Sequence, residues 1–113
     1  KSVIGKYAQK KDKGEISEGS PFFLYYAMGN VHEPIGAPDA VMMALEEGHD
    51  NQSRAYQKIP DAFRKVFAAM TYMIDDAVKN LTNSLKEHSM FEDTFYIIAS
   101  DNGGNPMENS GGN

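Results

Sequence analysis

The stretch PFFLYYAM, residues 21–28, decides the fold class that this sequence predicts. It is an unbroken apolar and aromatic run, and it is short enough to suit a strand better than a helix. Because polar residues do not alternate with the apolar ones, both faces of such a strand would be covered, as in a parallel sheet between helices. Gly29 ends the run, and the proline-containing residues 30–39 are predicted to form a loop.

Two later segments extend this pattern into a strand, helix, strand order. Apolar residues recur every three or four positions from residue 60 to about residue 87, which predicts a long amphipathic helix. They are Phe63, Phe67, Met70, Ile74, Ala77, Leu81 and Leu85. Residues 94–100, TFYIIAS, are rich in β-branched and aromatic types and predict a second strand. Strands joined through a helix are almost always parallel with a right-handed crossover, so the predicted fold class is α/β with a parallel sheet.

The remaining segments carry weaker signals. Residues 2–9 are predicted to hold the end of a helix, and residues 40–47 a short helical turn. Residues 48–58 are polar, which predicts an exposed segment. Neither end of the sequence coincides with the boundary of a predicted element. We therefore expect the chain to be a piece of a larger domain.

Composition excludes several classes of function. The chain has 113 residues, a net charge of −5 and no cysteine. Nucleic-acid binding requires a positive surface, which this charge does not favour. Without cysteine there is no disulfide framework, thiol nucleophile or cysteine-type zinc cluster. The longest apolar run is far shorter than a membrane span, and two glycosylation sequons begin at Asn51 and Asn80.

Three polar residues are candidates for the chemistry. His32 follows the first predicted strand, while Asp101 and Asn102 follow the second. In parallel sheets, ligands bind beyond the carboxyl ends of the strands, so all three would lie at one edge. Carboxylate and amide oxygens suit a hard cation such as calcium or magnesium. Histidine exchanges its proton near neutral pH and could protonate a leaving group.

Simpler interpretations of the same residues stay open. Asp101, Asn102 and the two glycines after them are the residue types that dominate turns. A single histidine in a loop is more often a packing or capping residue than a catalytic one. The aromatic residues at 22–26 are interpreted as core, not as a stacking platform.

Taken together and in order, the motifs resemble the sulfatase family, and most of all its arylsulfatase B-like branch. The first part is residues 21–27 followed by Val31-His32-Glu33-Pro34 and Pro38. The second is residues 70–78, then Leu85, Asp93-Thr94 and Ser100-Asp101-Asn102-Gly103-Gly104. The resemblance covers residues 21–104 and is loose over residues 37–59. It implies that residues 1–113 are part of a sulfatase catalytic domain.

The resemblance implies an alkaline-phosphatase-like α/β fold and hydrolysis of sulfate esters, with a sulfated sugar among the candidate substrates. It implies that Asp101 and Asn102 are two calcium ligands. It also implies that His32 contacts the sulfate and assists departure of the leaving oxygen. Family members are typically exported to the periplasm, the lysosome or the outside of the cell, and we expect the same here.

Several family features do not occur in this sequence. The formylglycine nucleophile arises from Cys or Ser in a Cys/Ser-x-Pro-x-Arg motif, which these residues lack. We expect the nucleophile, the early pair of aspartates and a later lysine to lie outside this segment. Residues 1–113 alone are therefore expected to be inactive.

Three other interpretations compete with a sulfatase. One is a phosphatase, phosphodiesterase or phosphonate hydrolase of the same superfamily. Another is a sulfatase-like domain without catalytic activity, kept for binding or packing. The last is an unrelated α/β domain with a plain turn at Asp101.

Overall fold

The computed structural model describes residues 2–17, 19–100 and 102–104. In these ranges the chain forms helices α1 (Val3–Asp12), α2 (Asp39–Glu47), α3 (Asn51–Gln57) and α4 (Ala62–Glu87). None of the described helices is long and apolar enough to span a bilayer. The chain divides into two compact units, one of residues 1–27 and 77–97 and the other of residues 28–76 and 98–113.

The predicted long helix is confirmed as α4. Its N-terminus is capped by Asp61, whose carboxylate accepts a hydrogen bond of 2.7 Å from the backbone N–H of Arg64. Ala69, Met70 and Leu85 on this helix are buried, whereas Phe63 near its start is exposed. The amphipathic pattern therefore identified the helix and most of its packed face, although the stripe is not covered along its whole length.

The unit of residues 28–76 and 98–113 is built around a small apolar cluster. Leu45 of α2, Tyr56 of α3 and Ala69 of α4 are buried in it. Burial raises the pKa of the Tyr56 phenol, which therefore stays neutral. Glu46 forms an ion pair with Lys65, tying α2 to α4.

The unit of residues 1–27 and 77–97 is organised around α1. Ser2 caps this helix by accepting a 3.0 Å hydrogen bond from the N–H of Gly5. Ile4 is almost completely buried. The ring of Tyr7 lies 4.9 Å from that of Phe22, and its hydroxyl donates to the carbonyl of Ser20.

The predicted parallel sheet is wrong for the part of the chain that the structure describes. Neither residues 21–28 nor residues 94–100 form a strand. Phe23 is 88% exposed and Ile97 is 81% exposed, although the sequence pattern predicted covered faces. A strand requires a neighbouring backbone to complete its hydrogen-bond ladder, and a run of apolar side chains does not supply one. The predicted α/β class is therefore wrong for the described residues, and so is the predicted sheet edge that the candidate residues would share.

The prediction of an exposed segment at residues 48–58 is confirmed for most of its residues, but it missed helix α3. Asp50 accepts a 2.8 Å hydrogen bond from the N–H of Ser53 and caps α3. Ser53 and Tyr56 are buried in spite of their polar groups. The Gln57 side chain donates to three carbonyls at the end of α2, those of Leu45, Glu46 and Gly48. Capping and these contacts, rather than an apolar stripe, form the helix.

Gly48 gives a first prediction, because it is packed tightly between α2 and α3. A Cβ atom at this position would lie 2.1 Å from Ser53 Oγ and 2.9 Å from the carbonyl oxygen of Ala44. Ser53 is buried and cannot move aside freely, so Gly48→Ala is expected to destabilise the fold by about 1–3 kcal/mol. Chemical denaturation of the parent chain and of the variant measures the loss of unfolding free energy.

Gly36→Ala is the matched control for Gly48→Ala. A Cβ atom at Gly36 meets nothing within 4 Å. The free energy of unfolding of this variant should therefore be close to that of the parent chain. Equal stability of the two variants would show that α2 and α3 are not packed as described.

Asp50 gives a second prediction, on pH. Hydrogen bonds from the backbone N–H and then the hydroxyl of Ser53 lower the pKa of Asp50 below its usual value of 3.8. A carboxyl with a lowered folded-state pKa contributes stability above its usual value and loses it as the pH falls through the lowered one. Asp50→Asn keeps a capping oxygen but cannot titrate. The stability of that variant should fall less steeply below pH 3.8 in acid unfolding curves.

Asp39→Asn on α2 is the control for that measurement, since it removes a carboxylate without touching the α3 cap. A gentler slope in Asp50→Asn than in Asp39→Asn would report the charge of the cap. If the two variants have the same slope, the cap does not depend on the charge of Asp50.

Candidate functional site

His32 is exposed and lies at the end of a tight turn. Its backbone N–H donates a 3.1 Å hydrogen bond to the carbonyl of Gly29, which closes the turn. Its ring nitrogen Nδ1 lies 2.8 Å from the carbonyl oxygen of Glu33. The ring is therefore held by the backbone of the next residue. The contact is to the backbone carbonyl of Glu33 and not to its carboxylate.

Asn30 anchors the turn to helix α4. Its side-chain Nδ2 donates a 3.1 Å hydrogen bond to the carbonyl of Met70 and lies 3.7 Å from the sulfur of Met73. Asn30 is half-buried, and Met70 is buried. The turn that carries His32 is thus attached to α4, the longest of the described helices.

The second candidate segment is only partly described. Asp101 lies outside the described residues, so the structure does not test its predicted role. Asn102 is exposed, and its Nδ2 donates a 3.2 Å hydrogen bond to the carbonyl of Gly103. Gly103 has φ of 76°, a left-handed conformation that glycine adopts without strain. This geometry is compatible both with a plain turn and with a backbone shaped to approach a ligand.

The described residues contain no group of three or more His, Cys, Asp or Glu side chains that could hold a metal ion. The sheet edge that was expected to bring His32 together with Asp101 and Asn102 does not exist in the described chain. Calcium takes six to eight oxygen ligands, and this segment offers two by prediction. The side-chain oxygens of an Asp and an Asn suit calcium, but two ligands do not complete a calcium site.

Sequence reasoning missed Asn30 and the carbonyl of Glu33. Asn30 stands in a loop whose composition gives no sign of a contact with a helix 40 residues later. The backbone carbonyl of Glu33 carries no sequence signal at all, because every residue has one. Only the position of Asn30, two residues before His32, could have drawn attention to Asn30.

Comparison with known proteins gives a consistent result. The profile of the Sulfatase family matches residues 8–113. Arylsulfatase J of Mus musculus is 34% identical over 86 residues, which are 76% of this chain and 12% of the mouse protein. The chain thus spans about an eighth of the length of that relative. No solved structure matches the chain.

Proposed function

Because this chain belongs to the sulfatase family, we propose that it is part of an enzyme that hydrolyses sulfate esters. The observation that carries the proposal is the family match over residues 8–113, which includes His32, Asp101 and Asn102. The similarity to an arylsulfatase of mouse supports the same class of reaction. A sulfated sugar is one candidate substrate, and export from the cytoplasm is the location that the family suggests.

His32 is proposed to assist departure of the leaving oxygen. When the sulfur–oxygen bond of a sulfate ester breaks, the electron pair stays on the ester oxygen, which becomes an alkoxide. A proton donated by a nearby imidazolium prevents that oxygen from carrying a full negative charge. The exposure of His32, and its attachment to a turn anchored on α4, support this role.

Asp101 and Asn102 are proposed to supply two oxygen ligands to a calcium ion. A calcium ion would draw negative charge from the sulfuryl oxygens and orient the ester. The remaining ligands would come from residues outside this segment, because two oxygens are too few for calcium. A formylglycine, also outside these residues, would supply the nucleophile, and this chain's residues would orient the ester and protonate the leaving oxygen.

The function is tested on the complete enzyme that carries this segment. We expect release of sulfate from an aryl sulfate, loss of activity in Asp101→Ala, and weaker calcium binding in the same variant by calorimetry. The 113-residue chain alone should release no sulfate above the blank.

Three results would contradict this proposal. Faster hydrolysis of the matched aryl phosphate would favour a phosphatase of the same superfamily. Unchanged calcium binding and activity in Asp101→Ala would leave residues 101–104 as a plain turn. Turnover by the 113-residue chain would show that the chemistry does not need residues outside it.

A further inference from the structure

The contact between His32 and Glu33 fixes the position of a proton. A carbonyl oxygen can only accept a hydrogen bond, so the 2.8 Å contact requires a hydrogen on Nδ1. In neutral imidazole only one ring nitrogen carries hydrogen, and the partner of one nitrogen decides the state of the other. Neutral His32 therefore has hydrogen on Nδ1 and a lone pair on Nε2.

The same contact determines which nitrogen exchanges protons. In the imidazolium form both nitrogens carry hydrogen, and Nδ1 keeps its hydrogen bond to Glu33. Gain and loss of the proton then take place at Nε2 alone. Nε2 is accordingly the nitrogen that can donate a proton to an anionic oxygen or accept a proton from a hydroxyl group.

We infer that Asn30 is a positioning residue, which fastens the His32 turn to α4 so that Glu33 holds the ring with Nε2 as its proton-exchanging atom. Asn30 reaches Met70 on α4 with its amide, while the turn closes from His32 to Gly29. Without the amide donor, the turn loses its side-chain hydrogen bond to the helix. This inference rests on the proposed function only for its consequence, that Nε2 faces the sulfate ester.

Long-range ¹H–¹⁵N correlation spectra of the complete protein that carries this segment, labelled with ¹⁵N on histidine, test the tautomer without any substrate. We expect Nδ1 of His32 to show the shift of a protonated nitrogen and Nε2 that of an unprotonated one, at a pH where the ring is neutral. Exposed His49 is the internal reference, because an imidazole in water favours hydrogen on Nε2. Hydrogen on Nε2 of His32 would overturn the inference.

Asn30→Asp tests the anchor, since it keeps the shape of the side chain and removes the amide donor. The ratio of the two His32 tautomers should move toward that of His49 by roughly fivefold, the factor that one neutral hydrogen bond is worth. Asn83→Ala, an exposed change on α4, should leave the His32 signals unaltered. Asn30→Ala repeats the test without introducing a carboxylate.

The results separate the anchor from the function. Unchanged His32 shifts in both folded Asn30 variants would overturn the positioning role of Asn30. Loss of the whole fold in both variants, seen by circular dichroism, would also overturn it, because Asn30 would then support the unit and not the turn. No spectrum involves a sulfate ester, so failure of the proposed function would appear only in the hydrolysis assay.

Discussion

Replacing His32 by alanine is expected to lower kcat for sulfate ester hydrolysis by the complete enzyme by about 10²–10⁴-fold. The reason is that the leaving oxygen would depart without a proton donor. The loss should be largest for esters of poorly acidic alcohols, whose alkoxides carry negative charge least well. Steady-state kinetics with an alkyl sulfate and a nitrophenyl sulfate measure both effects.

His49→Ala is the matched control, since His49 is also exposed but stands before α3 in a segment with no predicted role. It should leave kcat close to the parent value. An equal loss of kcat with both sulfate esters in His32→Ala would contradict proton donation, because a good leaving group needs little help. Full activity in that variant would remove His32 from the site.

Replacing Leu45 by alanine is expected to destabilise the fold by about 2–5 kcal/mol. Leu45 is only 3% exposed and lies in the cluster with Tyr56 and Ala69. Its removal takes buried apolar surface from the cluster and leaves a cavity that the surrounding side chains fill only in part. Because α2, α3 and α4 each contribute to this cluster, all three helices should loosen together. Denaturant unfolding followed by circular dichroism measures the change.

Met43→Ala on the same helix is the control for Leu45→Ala. Met43 is 59% exposed, so its truncation removes little buried surface while helix α2 keeps a strong helix former. The free energy of unfolding of this variant should lie within about 0.5 kcal/mol of the parent value. If the two variants lose equal stability, the cluster is not the core of this unit.

The local elements that were predicted correctly share one feature, which is a signal carried by neighbouring residues. Helix α4 follows from apolar residues spaced three or four apart, because that spacing places them on one face. Helix α3 was missed because its signal is a capping contact between Asp50 and Ser53 and not a stripe. The motif order around His32 and residues 100–104 identified the family, as the family match confirms.

The sequence by itself therefore determined the family, the long helix and the residues worth testing. Only the tertiary structure decided how the apolar runs at residues 21–28 and 94–100 are placed, because a strand depends on a neighbouring backbone that side-chain patterns do not report. The tertiary structure also decided which group holds the His32 ring. Asn30 and Met70 are 40 residues apart, and the Glu33 carbonyl is common to every peptide unit. Such contacts arise from folded geometry, which no local pattern of residue types encodes.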